Sequence, residues 1–171
     1  MSHPRILIAC VGNIFLGDDG FGVEVAQRLA GRTLPSDVSV RDFGIRGFDL
    51  AYALMESYSL VILVDACARG GAPGTVYLIE PDPIEEDCSQ PGLPQLEPHG
   101  MNPMNVLRLV KSLGGTSGRV LIVGCEPAGL GSDSDGQLGL SEPVQAAVEE
   151  AIALIESLVS KVLNGEPVHS S

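Results

Sequence analysis

The 171-residue chain sets 22 Asp and Glu against 10 Lys and Arg, a formal charge of −12. Such a field repels phosphate backbones and draws cations, which excludes nucleic acid as a partner. A hydrophobic share of 44% supports one buried core at this length, while aromatics at 4% and no Trp leave that core to aliphatic side chains, as in sheets covered by helices on both faces. No apolar run approaches the roughly 18–20 residues that cross a bilayer, so no membrane partner is expected. Met1-Ser2-His3-Pro4 runs into a strand-like segment without the pattern of an export signal, which makes the cytoplasm the expected compartment. Cys10, Cys67, Cys88 and Cys125 form no C-x-x-C pair, arguing against a zinc knuckle or dithiol redox motif.

Residues 5–11 (RILIACV) form a continuous apolar run that stops at Gly12-Asn13, the signature of a central strand followed by a turn. Val23, Ala26, Leu29 and Ala30 then recur at helical spacing, and Gly31 closes the pattern. A second strand is predicted over Val38–Asp42, a helix near Phe48–Met55, and a fully buried strand at 60–66 (LVILVDA). Strands alternating with helices imply parallel pairing with right-handed crossovers. The run TVYLIE at 75–80 lies too close behind residue 66 for a helical crossover and is expected to pair antiparallel, at an edge.

From Pro81 to Gly100, five prolines (Pro81, Pro83, Pro91, Pro94, Pro98) exclude helix and central strand, and a stretch of this kind in a small domain is usually functional or mobile. Asn102 caps the next predicted helix with Pro103 at its first position and Val106, Leu107, Val110 and Leu113 as its buried stripe. RVLIVGC at 119–125 is the last strand. A glycine-rich loop fills 127–140, and Ser141 is placed to cap a long helix whose seam is Val144, Val148, Ala151, Ile155, Leu158 and Val162. The expectation is one α/β domain over 1–165, a three-layer α/β/α sandwich on a mostly parallel twisted sheet of about five strands, with a disordered tail at 166–171.

In open parallel sheets the ligand sits beyond the carboxyl ends of the strands, here the loops after Val11, Ala66 and Cys125. Two of these ends supply carboxylates: Asp18 and Asp19 in GNIFLGDDGFG (12–22), and Asp65. Asp18 and Asp19 can be read as helix caps, but two adjacent anions repel unless one meets solvent, a cation or a proton donor. Asp65 can bond its own turn, yet a carboxylate entering a buried strand needs a partner. His99, between Pro98 and Gly100, is either an exposed loop histidine or the imidazole of a site completed by the acids. Asp19, Asp65 and His99 make an N/O donor set suited to nickel or zinc, provided the fold assembles it. There is no G-x-x-x-x-G-K-[ST], and GTSGR at 115–119 fails G-x-S-x-G, arguing against nucleotide binding and a serine elbow. A Cys–His hydrolase built on Cys67 or Cys10 with His99 stays open, although both cysteines end apolar strands and so suit packing.

Three segments, GNIFLGDDGFG (12–22), LVILVDACARGGAPGTV (60–76) and PHGMNPMNVLRL (98–109), together with GCEPAGLGSDSDGQLGLSEPV (124–144), resemble the hydrogenase maturation endopeptidases. The resemblance implies an endopeptidase that trims the C-terminal extension of the nickel-loaded [NiFe] hydrogenase large-subunit precursor. It implies Asp19, Asp65 and His99 as the catalytic and metal-contacting residues, with Asn13 and Asp18 shaping the loop around them. Some members carry Glu where this chain has Asp19, one methylene shorter. The resemblance also implies that the nickel belongs to the substrate, and the enzyme is expected to act as a monomer. Two other readings stand beside this one: a non-catalytic nickel-binding or chaperone-like α/β module, and an unrelated hydrolase with its own metal.

Overall fold

The apolar runs read from the sequence become neighbouring strands because each is long enough to cross a core and too apolar to face water on either side. A computed structural model of the chain describes residues 3–81, 102–115, 118–129 and 138–170. In chain order the elements are β1 (Ile6–Val11), a 3₁₀ turn (Gly17–Gly20), α1 (Phe21–Ala30), β2 (Val38–Gly44), α2 (Gly47–Leu54), β3 (Leu60–Ala66), β4 (Val76–Ile79), α3 (Pro103–Ser112), β5 (Arg119–Cys125) and α4 (Glu142–Leu163). The strands form one sheet in the order β2-β1-β3-β5-β4. β1 pairs parallel with β2 and β3, and β3 parallel with β5. β4 runs antiparallel to β5 at the edge, as the short connection requires.

Alternation along the strands sends side chains into two cores. Ile6, Ile8, Cys10, Ile62, Val64 and Val123 pack under α1 and α4, while Leu7, Ala9, Val61, Leu63 and Ile122 pack under α2 and α3. The result is the three-layer α/β/α sandwich. Each Leu, Ile or Val withdrawn from water stabilises it by roughly 1.5–3 kcal/mol. Asn102 caps α3 as expected, its side chain accepting from the Met104 N–H at 2.9 Å with Pro103 behind it.

Three details depart from the expected pattern. Leu113 is 54% exposed because α3 ends at Ser112, and Leu109 takes its place in the stripe. Ser141 does stand at the N-cap of α4, but its hydroxyl makes no capping bond and turns elsewhere. In the expected tail, Val168 is buried and its carbonyl accepts from the Arg119 guanidinium at 2.7 Å, which ties the described residues after Gly165 to β5. Among the described residues no helix is long and apolar enough to cross a membrane.

Candidate functional site

β1 and β3 are adjacent, and the strand order reverses between them: β2 lies on the far side of β1, and β5 on the far side of β3. Their carboxyl ends therefore open a cleft at the topological switch point. Two glycines let the loop after β1 fold down onto it. A Cβ on Gly22 would lie 2.2 Å from the Val11 carbonyl and 2.6 Å from that of Val64, so α1 starts directly on the ends of both strands. A Cβ on Gly12 would lie 2.1 Å from the Asp19 carbonyl oxygen. The Asn13 N–H donates both to that carbonyl, at 3.2 Å, and to the Asp19 carboxylate, at 3.0 Å. The Asn13 side chain accepts from the Phe15 N–H at 3.0 Å, which shapes the loop.

Asp65 enters the same cleft from β3. It is 7% exposed, and one carboxylate oxygen accepts from the Ala66 N–H at 2.8 Å. Burial, and secondarily the negative charge of Asp19, push its carboxyl well above the usual carboxylate range. Asp19 is also pushed up, by burial, against the opposing pull of the Asn13 N–H. The two acids thus sit close enough to repel, in a setting where an incoming cation would favour the charged form of both. His99 lies outside the described residues, as do 82–101 as a whole and Cys88. Among the described residues no three His, Cys, Asp or Glu side chains gather to hold a metal ion; of the three expected groups, Asp19 and Asp65 are the two that are described.

Asp18 does not cap the helix that follows it: neither the 3₁₀ turn nor α1 has a side-chain cap. At 4% exposure it reaches across the sheet to the last loop, accepting from the Ala128 N–H at 2.8 Å, the Ser141 N–H at 2.7 Å and the Ser141 hydroxyl at 2.8 Å. This brace explains both the second anion of the pair and the missing Ser141 cap. It holds the loop on which Asp19 stands.

The third strand end also carries a carboxylate, one not among the residues predicted from the sequence. Glu126, 5% exposed, follows β5 directly and accepts from the N–H groups of Arg69 at 2.7 Å and Gly70 at 3.1 Å and from the Tyr77 hydroxyl at 3.0 Å. These donors, the Arg69 N–H foremost, hold its carboxyl below the usual range. Its signal in the sequence was the one used for Asp65, an acid at the end of a buried strand. Cys67 and Cys10 suit packing, not attack: burial pushes the Cys67 thiol up to about 12 and raises that of Cys10 as well, so neither supplies thiolate near neutral pH.

Fold and site together define a doubly wound α/β protein with an acidic cleft at its switch point. Residues 23–158 match the model of the hydrogenase maturation protease family HycI. A Methanocaldococcus jannaschii protein named for the same protease class is 34% identical over 167 residues, covering 94% of this chain and 100% of that one. Among solved structures, the hydrogenase maturating endopeptidase HybD of Escherichia coli superposes with a TM-score of 0.70 at 26% identity, over 92% of this chain and 93% of that one. The hydrogenase 2 maturation peptidase of a Thaumarchaeota archaeon gives 0.67 at 35% identity, over 91% and 98%. The chain belongs to the hydrogenase maturation protease family. It is accordingly an endopeptidase, which sets aside both the non-catalytic module and the unrelated hydrolase.

Proposed function

We propose that this endopeptidase removes the C-terminal extension of a [NiFe] hydrogenase large-subunit precursor, acting as a cytoplasmic monomer and recognising nickel already installed in that precursor through Asp19, Asp65 and His99. The observation that carries the reading is the convergence of Asp19 and Asp65 from two strand ends into one cleft at the switch point, each pushed toward its neutral form and each favoured as an anion by a cation. Carboxylates with an imidazole suit nickel, and a substrate-borne ion makes the site a check on metal loading before the cut.

Bound nickel supplies charge for docking and for polarising the scissile carbonyl. With the nickel favouring its charged form, the buried Asp65 carboxylate serves as the general base. It takes a proton from water as the oxygen bonds to the carbonyl carbon. The carbon–nitrogen bond then breaks and the proton passes to the leaving nitrogen. Asp19, held by the Asn13 N–H, keeps the nickel in register.

The test is processing of a nickel-loaded precursor followed by gel shift. Asp19→Ala, Asp65→Ala and His99→Ala are expected to stay folded and to lose about 10²-fold or more in rate. The isolated enzyme is expected to purify without stoichiometric nickel. Wild-type cleavage by all three variants would sink the assignment.

A further inference from the structure

The loop from Cys67 to Thr75, which follows Asp65, is held more firmly than a connection needs to be. Glu126 takes the N–H groups of Arg69 and Gly70 on its carboxylate, its carbonyl accepts from Gly74 at 2.8 Å, and its own N–H donates to Thr75 at 2.8 Å. The same carboxylate anchors the Tyr77 hydroxyl at 3.0 Å. The loop passes so near that hydroxyl that a Cβ on Gly71 would lie 2.1 Å from it.

The product of this bracing is one cation. The Arg69 guanidinium lies over the Tyr77 ring, 5.5 Å from its centroid. Arg28, Arg32, Arg41, Arg46 and Arg119 each hold a carboxylate at 2.7–3.6 Å. Arg69, like Arg5 over the Tyr58 ring, holds none among the described residues, and of the two it is Arg69 that stands beside the strand end of Asp65. It borders a groove of about 610 Å³ along β4, where Val76, Leu78 and Leu154 give apolar contact. Glu80, also on that groove, is already occupied by Arg119 at 2.9 Å. Arg69 stands four positions after Asp65, so their Cα atoms are at most about 14 Å apart.

From this we infer that Arg69 recognises the terminal carboxylate of the precursor's C-terminal tail, with the tail's last side chains in the groove beside β4. The inference rests on the protease reading above. A tail-trimming enzyme needs a mark that separates a tail from an internal segment, and the α-carboxylate is the one group every tail carries whatever its side chains. A guanidinium resting over a ring on a braced backbone binds it in fork geometry with less entropy to lose than a side chain on a free loop. Arg69 is thereby a specificity residue, and Glu126 and Tyr77 position it.

The experiment uses a fluorescein-labelled peptide copying the C-terminal end of the host's own large-subunit precursor, made as free acid and as amide and bound to the full chain. Wild type is expected to hold the acid about tenfold more tightly than the amide, Arg69→Ala to hold both like the amide, and Arg69→Lys to recover part of the preference. With nickel-loaded precursor, Arg69→Ala should raise KM about tenfold while kcat stays within about twofold. Equal binding of acid and amide by wild type, no binding of either, or an acid preference that survives Arg69→Ala overturns the inference. Cleavage without acid preference leaves the protease reading standing and ends the dock. An Arg69-dependent acid preference in a chain that cuts no nickel-loaded precursor does the reverse.

Discussion

Removing Asp18 tests whether the brace between the first and last loops holds the fold around the cleft. In Asp18→Ala the N–H groups of Ala128 and Ser141 and the Ser141 hydroxyl lose one shared acceptor. Hydrogen bonds to a charged group contribute about 1.5–3 kcal/mol each, and a buried donor left unpaired costs about 1–3 kcal/mol. The three share an acceptor and are not additive, and water can reach part of the gap, so a loss of about 3–5 kcal/mol is expected. At this length that corresponds to roughly 6–20 °C in Tm. Asp18→Asn keeps one acceptor and sets an amide N–H₂ against the remaining donors, where only the Ser141 hydroxyl can turn to accept it, so about 1–3 kcal/mol is expected. Urea unfolding with a checked m-value measures both. Two variants within about 0.5 kcal/mol of wild type would refute the claim that this carboxylate carries the junction.

Gly22→Ala should destabilise by about 1–3 kcal/mol or more, because its methyl meets the backbone oxygens of Val11 and Val64, which cannot yield without opening β1 from β3; the urea midpoint reads it, and an unchanged midpoint refutes the steric argument. Asp65→Asn should raise the urea midpoint at neutral pH while ending precursor cleavage. The folded carboxyl titrates above its unfolded value, so its favourable contribution is complete below the unfolded pKa and is lost as pH rises through the folded one; a lowered midpoint at pH 7 contradicts this. Glu126 has the opposite sign. Its folded pKa is depressed, so its contribution is present above the unfolded value and disappears as pH falls through the folded one. Stability of Glu126→Gln should therefore fall less steeply below about pH 4.5 than that of wild type, and parallel acid limbs would count against the assignment.

β1 and β3 could be read from the sequence because burial on both faces leaves unbroken apolar runs, and the crossover rules then place their ends together. Asp65 was legible for the same reason, as a charge where the run gives no licence for one. Asp18 was not, since its partners lie 110 and 123 residues further on and nothing local distinguishes a long-range acceptor from a cap. Glu126 repeats the strand-end pattern of Asp65, but Pro127 and the glycine-rich stretch after it give its surroundings the composition of an ordinary loop. Ser141 stands at the start of α4 as its position predicts, but its hydroxyl bonds Asp18 instead of capping, because capping geometry is local while the stronger acceptor comes from the other end of the chain.

The 123-residue span between Asp18 and Ser141 also has a meaning in time. A ribosome adding about 5–20 residues per second separates the two by roughly 6–25 s. Once Asp65 has been added, the nascent chain holds both Asp19 and Asp65 but still lacks the donors that clamp the loop on which Asp19 stands. The brace on the Asp19 loop is thus completed only when the start of α4 has been made, which puts this loop among the last parts of the fold to be fixed.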